Sequence, residues 1–110
     1  MMRTMIAVAG TGVFALGCAS VPEPKGEIAN ADLALRKAEA VNAAELAPLD
    51  ARLAREKLEK AKLDQKDGKN LEARRLAEQA EVDALVAEVK ARALRFERAS
   101  GSGGAEEGAK

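Results

Sequence analysis

The side chains able to do chemistry are unevenly spread along this chain. Between Val21 and Ala99 there is no Ser, Thr, Cys, His or Tyr. That removes the usual nucleophiles, the usual proton shuttle and the commonest nitrogen and sulfur metal ligands. What remains there is Lys, Arg, Asp, Glu and a few amides. Carboxylate pairs such as Glu56/Glu59 or Glu78/Glu81 have the composition of a glycosidase dyad. Arg and Lys stand beside them, however, and no pocket-forming bulk surrounds them, so they read as solvated charges on helix surfaces. No catalytic residue, metal ligand or cofactor is expected, and the body reads as non-enzymatic.

The one distinctive side chain is Cys18, the only cysteine of the 110 residues. A single thiol allows no intramolecular disulfide and no Cys-based metal site. Ahead of it stand one early cation, Arg3, the apolar run Met5 to Leu16, and then Gly17. This is the order of a secretory signal: positive start, short apolar segment, small residue before cleavage. The run is too short for a membrane-spanning helix, which needs about 20 residues, and the stretch after Cys18 is polar.

Ala15-Leu16-Gly17-Cys18 resembles the bacterial lipobox, although Ala15 stands where Leu is commonest. The resemblance implies a signal peptide over residues 1–17 and cleavage between Gly17 and Cys18. It also implies acyl chains carried covalently on Cys18. Ala19, rather than Asp, comes directly after the cysteine, which by the same resemblance implies the periplasmic face of a bacterial outer membrane. Several acyl chains on one residue anchor firmly where one alone is marginal.

Composition narrows the partners. Lys plus Arg and Asp plus Glu each number 18, a balance that gives no reason to expect nucleic acid. Apolar residues are plentiful, but much of that content is alanine, which buries little area. At about 25 cal/mol per Å² of apolar surface, such a core barely offsets the chain entropy of a small domain. Self-association into a homo-oligomer, or a partner protein, is the natural remedy.

The elements can be read from periodicity. Residues 18–26 hold Cys18 and a spacer in which Pro22 and Pro24 favour extended backbone. Residues 27–99 read as an alanine-rich helical domain. Its first helix runs from Glu27 to about Leu46, and the Ala47-Pro48 step breaks it. A second helix runs from Pro48 to about Lys66, since proline suits a first turn. Arg52–Glu56, Arg55–Glu59 and Glu56–Lys60 are expected to lace its wet side. Asp67-Gly68-Lys69-Asn70 reads as a turn, with Gly68 left-handed and Asn70 as the next N-cap.

The third helix is expected from Leu71 to about Ala99. Its seam is Ala73, Ala77, Ala80, Ala84, Ala87 and Ala91, in alternating steps of four and three. A small residue along a heptad seam lets two helices approach closely. Val82, Leu85, Val89 and Phe96 widen the apolar face. Lys90, Arg92, Arg95 and Arg98 crowd its end, which the helix dipole favours. Residues 100–110 are Gly- and Ser-rich and are expected to be a disordered tail. The expected fold is all-α, an antiparallel hairpin inside a small three-helix bundle.

Ala43-Ala44, Ala47-Pro48, Leu58, Ala61, Gly68, Ala73, Leu76, Ala77, Ala80, Asp83 and Ala84 resemble one family. It is that of alanine-rich proteobacterial lipoproteins catalogued as a domain of unknown function, and the likeness covers roughly residues 5–95. Relatives often carry an aromatic after the turn glycine, where this chain has Asn70-Leu71. Some are fused to an OmpA-like domain that binds peptidoglycan. The family implies an envelope role and supplies no catalytic residues.

The Gly68 hairpin also resembles one tetratricopeptide unit, and about three such units are needed for an independent solenoid. A further resemblance is to the major outer-membrane lipoprotein, a trimeric coiled coil joined to peptidoglycan through its C-terminal lysine. That likeness points to Lys110 as an alternative attachment to the wall, although Pro48 and Gly68 interrupt the continuous helix it requires. The expected partners are the membrane, through the lipid, together with an envelope protein, peptidoglycan or a second copy. The expected function is a non-catalytic, lipid-anchored structural or protein-binding module.

Overall fold

The computed structural model describes residues 20–108, with side chains described through residue 101. Among the described residues there are four helices: α1, Lys25–Ala40; α2, Ala43–Leu46; α3, Pro48–Lys66; and α4, Asn70–Gly108. The fold is all-α. Helix α4 is the central element; α3 packs antiparallel to it and α1 parallel, while α2 is a single turn at the α1–α3 corner.

Each boundary has a local cause. Helix α3 opens on Pro48 at its first turn, with Ala47 before it outside the helical region at φ −137° and ψ 61°. Asp50 in its first turn and Lys66 in its last complement the helix dipole. It closes on Gly68, whose φ of +76° is left-handed. There Lys69 N–H donates to the Asp64 carbonyl (2.8 Å) and Gly68 N–H to that of Gln65 (3.1 Å), the paired bonds of a Schellman ending. A Cβ built on Gly68 would meet nothing within 4 Å. The glycine is therefore required by its backbone angle and not by crowding.

Three helix boundaries differ from those expected from the sequence. The single helix expected over Glu27–Leu46 is two, because Asn42 adopts φ +63° and breaks the run after Val41. Asparagine tolerates this conformation better than most residues. The break turns Ala43 and Ala47 inward, where both are buried beside Ala87 and Ala91. Helix α1 begins at Lys25, inside the stretch read as spacer.

At the other end, α4 continues to Gly108, through the stretch expected to be a disordered tail. Adding residues to an existing helix avoids the cost of nucleation, even where each glycine costs about 1 kcal/mol relative to alanine.

The core is built almost wholly of methyl groups. Its buried apolar positions, Pro24 aside, are all alanine except Leu35, Val41 and Leu58. One cluster joins Ala31, Ala34 and Leu35 of α1 to Ala54, Leu58 and Ala61 of α3 through Ala77, Ala80 and Ala84 of α4. A second cluster lies at the α2 corner, around Ala38, Val41, Ala51, Ala87 and Ala91. Small residues at the contact place helix axes at the short end of the usual range, about 8–10 Å.

Enlarging this seam should therefore force the helices apart. Ala80→Leu and Ala84→Leu are each expected to cost about 1–3 kcal/mol. The thermal midpoint should fall by roughly 4–8 °C per kcal/mol. Glu59→Ala on the wet side of α3, at an exposed residue outside both faces of α4, should stay within about 0.5 kcal/mol. Circular-dichroism melts of the three variants check this contrast.

Candidate functional site

Two features of the body could serve a function: the alanine seam with its charged margins, and the end at which the chain enters. Ala73, Ala77, Ala80, Ala84, Ala87 and Ala91 are each 1% exposed or less. Ala77 to Ala91 of this set face α1 and α3 together, which sets them on the axis of the bundle.

Cross-helix ion pairs flank the seam. Lys90 Nζ lies 2.7 Å from Asp50 Oδ2, and Lys57 Nζ lies 2.7 Å from Asp83 Oδ2, both between α3 and α4. The second contact is Coulombic: the Asp83 oxygen is sealed from solvent and receives no well-angled hydrogen bond. Between α1 and α3, Arg55 meets Glu39 at 2.8 Å and Lys62 meets Asp32 at 3.7 Å.

Signs alternate along the α3–α4 pairs: acid then base on α3, base then acid on α4 in the facing order. A slip of one heptad in one direction sets Asp50 against Asp83; in the other it sets Lys57 against Lys90. Methyl groups alone hardly distinguish these registers, because every step along the seam presents another alanine. The Gly68 turn and the alternating charges supply the distinction.

Several pairings differ from those expected within single helices. Asp32–Arg36 and Arg52–Glu56 form, at 2.9 and 3.8 Å. Arg55 reaches Glu39 of α1 instead of Glu59. Lys60 binds both oxygens of Asp64, at 3.2 and 2.9 Å, instead of Glu56. Asp64 is the one buried charged side chain among the described residues, and a buried carboxylate requires a partner more than an exposed one does. Within the basic cluster, Lys90 is taken by Asp50 and Arg92 by Glu88 at 2.9 Å. Of the carboxylate pairs, Glu56, Glu59 and Glu78 are exposed and Glu81 half-buried.

At the entry end, Asn70 Nδ2 donates to the Val21 carbonyl at 3.0 Å, across 49 residues of chain. Asn70 is not the N-cap. It is the first residue of α4, and the carbonyl of the preceding Lys69 accepts the Ala73 N–H at 2.9 Å. Val21 is half-buried and Pro24 buried. Ser20 and Val21 share an open groove of about 270 Å³ with Gly68, Lys69, Leu71 and Glu72. The spacer is therefore held against the α3–α4 turn. No local pattern around Asn70 signals so distant a partner. Cys18, Gly17 and Lys110 lie outside the described residues.

Among the described residues, no three His, Cys, Asp or Glu side chains converge as metal ligands. Nor is any described helix long and apolar enough to cross a membrane.

Removing one partner of the half-buried Lys57–Asp83 pair should cost more than removing both, because the Asp83 oxygen is itself closed to solvent. Lys57→Met is expected to lose on the order of 1–3 kcal/mol, and Lys57→Met with Asp83→Leu to recover most of it. Denaturant unfolding of both variants checks the asymmetry. Asn70→Leu should release the spacer, so that trypsin cuts after Lys25 faster than in the unsubstituted chain, with helicity unchanged.

No curated protein and no solved structure matches this chain. Residues 26–101, nearly all of the helical body, match the family described as a domain of unknown function (DUF4398), and the chain belongs to that family.

Proposed function

We propose that this protein is a non-catalytic lipoprotein of the bacterial envelope, a helical structural or protein-binding module anchored through acyl chains on Cys18. The observation that carries the reading is Cys18 itself, placed after an apolar run with a single early cation and before a short polar spacer. Ala19 after the cysteine favours the outer membrane over the inner one. The periplasm-facing body supplies surface and not chemistry, since its polar groups are chiefly the paired charges of helix faces.

The grip of Asn70 on Val21 supports a particular attachment. Only Ala19 separates Cys18 from Ser20, so the anchor would join the body at the α3–α4 turn, within roughly 7 Å of chain. The body would sit close to the membrane, not swing on a long tether.

The test is the intact mass of the membrane-extracted protein, before and after wall digestion with lysozyme. A chain beginning at Cys18 and carrying acyl mass is the expected result. A chain that retains residues 1–17, or that begins elsewhere without acyl mass, overturns the anchor. A sugar-peptide remnant on Lys110 would make the protein a wall tether instead. Cys18→Ser should abolish both acylation and release of residues 1–17, and a processed variant still sedimenting with membranes would contradict the reading.

A further inference from the structure

Helix α4 has a second apolar face, directed away from its own bundle. Val82, Leu85, Val86, Val89 and Phe96 are between 38% and 73% exposed. At 3.6 residues per turn, Val82, Val86 and Val89 lie roughly 140–200° around the helix from the buried Ala84. Single exposed apolar residues are ordinary, whereas a contiguous set marks an interaction surface. Leu85, Val86, Val89 and Lys90 line one open groove of about 360 Å³, and Leu33 of α1 joins Leu85 along the next.

We infer that this face pairs with the same face of a second copy, antiparallel, about a dyad between Leu85 and Val86. The charges at the two ends of the stripe favour this partner. Arg75 and Glu78 precede it, and Arg92 and Glu97 come after it; all four are exposed. Turned about that dyad, Val82 falls opposite the second copy's Val89, Glu78 opposite its Arg92, and Arg75 opposite its Glu97 and Phe96. Each acid meets a base, and the arginine also gains an aromatic face. Arg75 and Glu97 form no ion pair among the described residues. Glu78 pairs with the exposed Arg74 and Arg92 with the half-buried Glu88, each one turn away on α4.

A parallel arrangement instead sets Arg75 against Arg75 and Glu78 against Glu78. A lipid surface suits the face less well, because membrane-lying helices carry predominantly Lys and Arg on their polar side, whereas here Glu78, Glu88 and Glu97 interleave with the cations. A core of methyl groups also leaves the monomer with little buried area to spare, which association would supply.

The pairing itself does not depend on the lipid anchor. With the anchor present, the dyad would set the two Asn70 ends about 47 Å apart, so the pair would lie along the membrane.

Single cysteines introduced into the full chain test the arrangement, with the unsubstituted chain as the control for Cys18. Leu85→Cys should cross-link to its own copy under mild oxidation. Val82→Cys and Val89→Cys should each fail alone, because like positions lie about 10 Å apart along the axis, and should link when mixed. Sedimentation should show a dimer at micromolar concentration. Arg75→Glu should weaken it about tenfold and Arg75→Glu with Glu97→Arg restore it. A monomeric unsubstituted chain without a Leu85→Cys cross-link overturns the proposal. So do equal cross-links from Val82→Cys and Val89→Cys alone, which would mean a parallel pair. Failure of the charge swap to restore association would likewise overturn the proposal, since these charges are what select a second copy in this orientation.

Discussion

The contact between alanine methyls along α4 is the constraint on which the rest of the structure depends. It brings α1 and α3 close to α4, and it leaves little room for any larger side chain at the seam. The same contact is poor in information. One alanine resembles the next, so apart from Leu35 and Leu58 burial does little to choose among registers a heptad apart. It is also poor in buried area, which keeps the body near the lower limit of what a single chain can stabilise. Each consequence is met elsewhere in the fold. Alternating charges at Asp50, Lys57, Asp83 and Lys90 supply register, and the glycine turn limits how the hairpin can slip.

The seam was legible from the sequence because alanines recur in steps of four and three and no other side chain interrupts them. Pro48 and Gly68 were legible for a different reason: each imposes a backbone angle that other residues adopt less readily. Asn42 carries a weaker form of the same signal, and a run of good helix formers on both sides masked it. The ion pairs were legible only where both partners lie on one helix turn. Lys90 with Asp50 and Asn70 with Val21 join residues 40 and 49 positions apart, and nothing local specifies them. Asp64 diverted Lys60 because it is buried, a property of the assembled helices and not of the segment. The continuation of α4 past Ala99 ran against composition, since glycine predicts coil where it must nucleate a helix but tolerates one already running.

The two faces of α4 divide the labour of the molecule. The alanine face holds the bundle together; the valine face, with charges at both its ends, points outward. The spacer enters beside the first turn of α4, so a lipid at Cys18 and the outer stripe would be carried by one rigid helix. On the proposed function, the protein presents a surface at a fixed place near the membrane, and its chemistry is confined to the acylated cysteine.

Native-state hydrogen exchange along α4 tests the central claim most directly, because exchange reports where packing, and not helical propensity, holds the backbone. The slowest amides are predicted from about Ala77 to Ala87, where α1 and α3 both cover the seam, with protection falling steeply beyond Ala91. Protection that is uniform along α4, or greatest beyond Arg95, would contradict it: the methyl contacts would then not be what holds the helices together.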